Sequence, residues 1–267
     1  MLLSFYKYQG TGNDFILLDN RAGGIQLEKE EVAALCHRRF GIGADGLMLL
    51  ELIPGYDFKM VYYNSDGQIS SMCGNGGRCI ASFANQLGLG SNGRFNFLAV
   101  DGPHEAIVSG DRVELRMQDV KRIESTGDAF FLNTGSPHYV KFVTGLAEMD
   151  VVSEGRTIRN SAAYREEGTN VNFMEVLGDT IHVRTYERGV EEETWSCGTG
   201  VTAAALVASA TGTSTARNSC RIQTSGGELE VSFERVLEQN FYNIWLKGPA
   251  LAVFSGTIET DHVYKRE

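Results

Sequence analysis

The chain has 267 residues, 42% of them hydrophobic and 22% charged, the make-up of a folded protein long enough for two ordinary domains. A formal net charge of −10, with no basic run, sets it against polyanionic partners, so nucleic acid is excluded as a ligand. It has neither a signal-type start nor an apolar stretch near the roughly 20 residues of a membrane span. The expectation is a cytoplasmic protein with no membrane partner.

In chain order, the first landmark is Gly10-Thr11-Gly12-Asn13-Asp14-Phe15. It is half of a dinucleotide fingerprint, lacks the third glycine, and carries no weight for a nucleotide. Gly46 opens the apolar run Leu47-Met48-Leu49-Leu50, and a second β-rich run, Phe58 to Tyr63, is closed by Asn64. Ser71-Met72-Cys73-Gly74-Asn75-Gly76 follows. Next come Ile80, Phe83, Ala84 and Leu87 at i, i+3, i+4, i+7, a helical period stopped by Gly88. From Met117 to Gly127 charged and polar residues interrupt the strand signals, and a linker is expected there.

The second half opens with Gly135-Ser136-Pro137-His138. Asn170 precedes the run Val171 to Val176, and Ile181 to Tyr186 leads into Glu187-Arg188. Trp195-Ser196-Cys197-Gly198-Thr199-Gly200 introduces Val201 to Ala210, small and almost wholly apolar, ended by Gly212. A helix without a polar face is buried on all sides. Each half thus offers β-rich runs, a cysteine, a glycine turn and one strongly helical stretch.

The halves repeat one another. Cys197 follows Cys73 by 124 residues, and the same offset carries Asn64 to Arg188 and Gly46 to Asn170; Gly12 lies 123 residues before Gly135. Four landmarks in one order, within one residue of a common spacing, mark a duplicated unit. The expected fold is α+β. It has two pseudo-symmetric domains from an internal duplication, each a β-sheet or barrel wrapped around a central helix, with the active site in the cleft between them. The domains are expected at 1–120 and 121–253, with 254–267 returning to the first.

Five cysteines form neither a disulfide framework nor a C-x-x-C pair, and with five histidines they show no ligand spacing, so no metal is expected. Cys36, Cys79 and Cys220 lie outside the repeat and read as packing. Cys73 and Cys197 each stand at a helix start before a glycine. There, orphan N–H groups and about half a positive charge favour thiolate over thiol and hold an anionic carboxylate close by. Glycine lets a ligand approach the backbone. Two such units aimed at one carbon would put a base on one face and an acid on the other, which is what inverting a stereocentre requires.

Asn64-Ser65-Asp66-Gly67 with Cys73-Gly74-Asn75-Gly76, and Glu187-Arg188-Gly189 with Cys197-Gly198-Thr199-Gly200, resemble the diaminopimelate epimerase family. Gly10 to Phe15, Arg39 to Gly46 and Gly248-Pro249-Ala250 extend the resemblance over nearly the whole chain. It implies interconversion of LL- and meso-diaminopimelate, in lysine and peptidoglycan-precursor synthesis, without pyridoxal phosphate or any other cofactor. It implies Cys73 and Cys197 as the acid/base pair, with Gly74, Asn75, Gly198 and Thr199 donating to the carboxylate at the reacting centre. Asn13, Asn64, Asn170 and Arg188 would hold the substrate, Arg188 through its planar fork. Glu187 would take an ammonium and, with His138, tune the cysteines. It also suggests a homodimer, with the apolar Leu251 to Phe254 taking part.

The chain departs from the family's pattern at Ser136, where Asn is common, and at Gly46, where some members carry Gln. Val190-Glu191-Glu192-Glu193 is one residue longer than in some relatives. Taken singly, Asn13 and Asn64 read as turn residues and His138 as structural; the joint pattern raises them. The competing readings are a proline- or hydroxyproline-type racemase of the same fold and a non-enzymatic thiol or metal-binding protein.

Overall fold

Phe15-Ile16-Leu17-Leu18 and Leu47 to Leu50 are apolar without alternation, the pattern of strands covered on both faces. In the computed structural model both runs are strands with every one of these side chains buried. The structure describes residues 2–70, 73–213, 218–237 and 239–260. Ser71 and Met72 of the first cysteine motif, and 261–267 of the expected returning segment, lie outside the described residues.

The chain divides into two units, one running to Leu115 and resuming at Pro249, the other Arg116–Gly248. In the first, β1 (Leu2–Gly10) and β2 (Asn13–Asp19) form an antiparallel hairpin. Its two-residue turn has both residues at positive φ, Thr11 at 51° and Gly12 at 85°, the type I′ geometry that suits strand twist. α1 (Lys29–Cys36) carries the crossover to β3 (Gly46–Glu51), parallel to β2. β4 (Phe58–Asn64) pairs antiparallel with β3. α2 (Gly74–Gln86) crosses to β5 (Arg94–Ala99), parallel to β4, and β6 (Gly102–Ser109) and β7 (Arg112–Arg116) meander on from it.

The second unit begins with β8 (Glu124–Thr126), β9 (Ala129–Asn133) and β10 (Pro137–Phe142), all antiparallel. α3 (Val151–Arg159) crosses to β11 (Asn170–Leu177), parallel to β10, and β12 (Thr180–Glu187) returns antiparallel with β13 (Glu192–Thr194) on its flank. α4 (Gly198–Ala210) crosses to β14 (Ser219–Thr224), parallel to β12. β15 (Gly227–Leu237) and β16 (Asn240–Pro249) follow antiparallel. β17 (Leu251–Glu259) then pairs antiparallel with β1.

The pairing senses of the two units follow one sequence, and the register repeats too: Phe15 lies opposite Gly46 as His138 lies opposite Asn170. Each unit wraps strands around a central helix. α2 packs on β1, β2, β3, β6 and β17, and α4 on β9, β10, β11, β12, β14 and β15. α4 is buried from Gly200 through Ser209, as its lack of a polar face requires.

Each half proves to hold a second helix on the opposite sheet face, which corrects the expectation of a single helical stretch. α1 packs Val32, Leu35 and Cys36 against Ile16, Leu18, Leu47 and Leu49; α3 packs Val151 against Val171, Phe173 and Tyr186. α1 spans only eight residues and opens with Lys29-Glu30-Glu31, closed by a capping box between Glu28 and Glu31. α3 has Gly155 at its centre, where a Cβ would collide with Tyr186. Length and glycine hid both.

The division falls after Leu115. Beyond it the Met117 N–H donates to Ile244 O at 2.9 Å and Val120 exchanges both backbone bonds with Phe241, tying 117–120 to the second unit. The return begins at Pro249, whose carbonyl accepts from Arg78 Nε at 3.3 Å, while Ala250 O takes the Ser82 hydroxyl at 3.5 Å. Among the described residues no helix is long and apolar enough to cross a membrane.

Candidate active site

Both cysteines of the repeated motif are the residue before a first helical turn, in extended backbone. Cys73 has φ −100° and ψ 136°, Cys197 φ −113° and ψ 109°, and neither side chain caps its own helix. Their carbonyls close the first turn, accepting from Gly77 N at 2.7 Å and Val201 N at 2.8 Å. The N–H groups of Gly74 and Asn75, and of Gly198 and Thr199, belong to that turn and have no intrahelical acceptor.

In the first unit, Cys73 Sγ lies 3.6 Å from Asn13 Oδ1, and Asn75 Nδ2 donates to the same oxygen at 3.4 Å. The Asn13 amide gives Nδ2–H to Asp45 at 2.5 Å. Arg78, fully buried, gives Nη2 to Asn75 Oδ1 and to Thr11 Oγ1, both at 3.1 Å, and Nη1 to Gly74 O at 3.3 Å. Burial pulls the Arg78 pKa below the usual guanidinium value. Thr11, β-branched and left-handed at φ 51°, is a true backbone outlier, and these hydroxyl bonds hold it. Below it, Asp14 meets Lys7 at 2.7 Å and Arg38 at 2.7 Å. Burial works to raise the Asp14 pKa, but the bonds and charges of Arg38 and Lys7 outweigh it and hold the carboxyl at about 2.

Asn64 stands exposed at the end of β4, in register with Gly46. Gly46 has no room for any side chain: a Cβ there would lie 2.5 Å from the Tyr62 ring and 2.7 Å from Tyr63 O. Burial pushes the thiols of Cys36 and Cys79 up to about 12, and Cys220 is buried with its Sγ against Ala205 O, so all three are inert packing.

In the second unit, Cys197 Sγ lies 3.5 Å from the Thr199 hydroxyl. Thr134, at the turn before β10, donates its hydroxyl to Thr199 O at 2.9 Å. Thr11 with Asn75 and Thr134 with Thr199 pair equivalent positions of the repeat, with a side-chain oxygen as acceptor in the first unit and a backbone carbonyl in the second. Asn170, buried, is engaged at both ends: Nδ2 donates to Ser136 Oγ at 2.9 Å and Pro137 O at 3.2 Å, and Oδ1 accepts from the Arg188 N–H at 2.9 Å. A contact through Nδ2 would displace one of these bonds, whereas Oδ1 keeps a second lone pair for a donor. The Arg188 side chain is exposed and gives Nη1 to Glu167 O at 3.0 Å; Glu187 Oε2 accepts from the Thr194 hydroxyl at 2.8 Å.

His138 is completely buried. Asn172 Nδ2 faces the acceptor Tyr139 O at 3.0 Å, so the same NH2 donates to His138 Nδ1, also at 3.0 Å. The ring proton therefore sits on Nε2, which has no acceptor among the described residues. Burial, and then the Arg188 charge, push its pKa down to about 3, so His138 is a neutral imidazole and not a cationic neighbour.

The structure brings Asn13, Gly74 and Asn75 to Cys73, and Gly198 and Thr199 to Cys197; Asn170 is joined to Arg188 through its backbone. Sequence reasoning missed Thr11, Thr134, Asp45, Arg78 and Asn172. The Thr-Gly pair at residues 11 and 134 was a readable signal at the repeat spacing; the others had none. Among the described residues no three Cys, His, Asp or Glu gather as metal ligands would.

The sequence model of one family, "Diaminopimelate epimerase", matches residues 5–123 and again 130–251. The chain is 50% identical to a diaminopimelate epimerase of Flavobacterium psychrophilum, over 96% of this chain and all of that protein. It is 44% identical to one of Chlorobaculum tepidum, over 93% and 98% of the two chains. Among solved structures it resembles a Bacillus anthracis phenazine biosynthesis protein of the PhzF family, with a TM-score of 0.74 at 12% identity over 97% and 99% of the chains. A hydroxyproline epimerase from Agrobacterium vitis, with bound trans-4-OH-L-proline, gives 0.69 at 13% over 96% and 92%. At such identities these two likenesses speak to the fold alone: two pseudo-symmetric domains of wrapped sheet.

Proposed function

We infer that this chain, which belongs to the diaminopimelate epimerase family, interconverts LL- and meso-2,6-diaminoheptanedioate as a cofactor-independent isomerase. The observation that carries the mechanism is the repeated geometry, one thiol before a C-G-x-G helix start in each unit. One cysteine as thiolate takes the proton from the carbon beside the carboxylate and becomes a thiol. The other, as thiol, returns a proton to the opposite face and becomes the thiolate. Protons and charge balance, and the roles exchange in the reverse direction. First-turn N–H groups of Gly74, Asn75, Gly198 and Thr199 receive the carboxylate whose charge grows in the transition state.

The far, non-reacting end is held by Asn13, Asn64 and Arg188, with Glu187 taking the ammonium. Asn170 fixes the Arg188 backbone and offers the second lone pair of Oδ1 to the substrate. His138 supplies a neutral donor and, with Glu187, sets the polarity felt by the cysteines. The enzyme works in the cytoplasm within lysine synthesis. Two copies pair through the exposed apolar stretch that includes Leu251, Val253 and Phe254, all more than a third exposed.

The test is α-proton exchange in deuterated water with LL-diaminopimelate. Cys73→Ala and Cys197→Ala are each expected to lose epimerisation while remaining folded. Two-way turnover in either variant would sink the two-base reading. Turnover of hydroxyproline instead would favour the racemase reading.

A further inference from the structure

An amide side chain has two ends of similar shape, and only partners of fixed sense decide which end points where. Around Cys73 both ends of a short amide chain are fixed. Arg78 has donors only and gives Nη2–H to Asn75 Oδ1 at 3.1 Å. Asn75 therefore turns Nδ2 to Asn13 Oδ1 at 3.4 Å. At the far end a carboxylate, which accepts only, takes Asn13 Nδ2: this is Asp45 Oδ2 at 2.5 Å. Asp45 is itself pinned, by Arg38 Nη2 at 2.7 Å and by the Asp14 N–H at 3.2 Å. The reacting sulfur consequently faces the Asn13 oxygen at 3.6 Å and not the Asn13 NH2.

That oxygen accepts an S–H bond and repels a thiolate. We propose that Asp45 is a positioning residue for the epimerisation: by fixing the Asn13 amide it holds an acceptor against Cys73 and shifts that cysteine towards its thiol form. The proposal rests on the reading of Cys73 as an acid/base group. It acts against the field of the α2 N-terminus and against the buried Arg78 charge on the same helix. The other charged groups of the cluster are Lys7 on β1, Asp14 on β2 and Arg38 after α1. Among the described residues the second unit is built differently. At the position equivalent to Asn13, Ser136 accepts from Asn170, and Cys197 faces the Thr199 hydroxyl, which can donate to a thiolate. The two cysteines, alike in backbone, are thereby made unlike in their preferred proton state.

The experiment is the pH dependence of iodoacetamide labelling of Cys73 and Cys197, resolved by peptide mass spectrometry on the full chain without substrate. Asp45→Asn introduces a donor opposite Asn13 and lets its amide turn, so the Cys73 midpoint is expected to fall by about one unit, a tenfold rise in thiolate over thiol. Asn13→Ala removes the acceptor with no change of charge and is expected to lower the same midpoint. Asp14→Asn removes a negative charge from the same cluster but leaves the Asn13–Asp45 bond, and is expected to move it less than half as far. Cys197 should keep its midpoint in all three. An unchanged or higher Cys73 midpoint in Asn13→Ala overturns the proposal, as does an Asp14→Asn shift equal to that of Asp45→Asn. Because labelling needs no substrate, a protein inactive on diaminopimelate that shows these shifts refutes only the functional reading; an active one without them refutes only the role of Asp45.

Discussion

Replacing Gly200 with Ala and Gly76 with Ala changes the same position of the same motif in the two units, and the structure gives the two changes opposite signs. A Cβ on Gly200 would overlap Asn172 Oδ1 and lie 3.2 Å from its Cγ. Asn172 cannot yield freely. It is fully buried and bonded at 3.0 Å to the Thr185 hydroxyl, to Tyr139 O and to His138. Losing one such bond and leaving its partner unsatisfied costs about 1–3 kcal/mol, and overpacking adds a similar amount. The better helix propensity of Ala returns only about 1 kcal/mol. Gly200→Ala should therefore destabilise by about 3 kcal/mol. A Cβ on Gly76 would meet only Met48 Cε at 3.4 Å, Met48 Sδ at 3.5 Å and Met60 Cε at 3.6 Å, the ends of adaptable side chains. Gly76→Ala should be neutral or stabilising by up to about 1 kcal/mol. Urea unfolding followed by far-UV circular dichroism, with midpoints compared at equal slope, reads the difference. If Gly76→Ala unfolds at lower urea than Gly200→Ala, the packing argument is wrong.

Acid should weaken the fold through His138. An unfolded imidazole binds its proton below about pH 6.5, the buried one only near 3, so protons favour the unfolded chain throughout that window. Stability is whole above pH 6.5 and falls by about 1.4 kcal/mol per unit below it, roughly 2 kcal/mol by pH 5. His138→Gln should flatten this part of the urea-midpoint profile, and equal slopes in the two proteins would refute it. Arg188→Lys keeps the charge but loses the fork, and kcat/KM for LL-diaminopimelate should drop at least about tenfold. Arg21→Lys, at a residue paired with Asp19 and reaching Leu87 O at 3.5 Å, should stay near wild type; a loss under about twofold in Arg188→Lys would return Arg188 to a surface role.

What was legible in the sequence was whatever repeats or has a period. Leu47 to Leu50 and Ile181 to Tyr186 declared themselves as strands because unbroken or alternating apolar character has few other solutions. Gly88 and Gly212 marked the ends of α2 and α4 because each sits at positive φ, 75° and 71°. The cysteine pair emerged from spacing alone. α1 and α3 were hidden because one is short and charged at its start and the other tolerates Gly155 against Tyr186. Asp45 acquires meaning through a bond to Asn13, 32 positions away, and Thr11 and Arg78 through their bond to one another across 67, which no local pattern encodes. Thr11 had one readable sign, its recurrence as Thr134, but the strain that singles it out is a property of the backbone.

The return of β17 to β1 has a consequence for how the protein is made. On a ribosome the N-terminal half emerges first, yet its sheet lacks an edge partner along Leu2 to Gln9 until β17 has been synthesised. The carbonyls of Pro249 and Ala250, which take bonds from Arg78 and Ser82 of α2, arrive equally late. Arg116–Gly248 is continuous and can complete itself while the earlier half still waits. A nonsense codon near position 248 would thus strike the part of the protein farthest from it in sequence. It would leave β1 unpaired along that edge, a template for strand-to-strand aggregation, while the half next to the lesion remains whole.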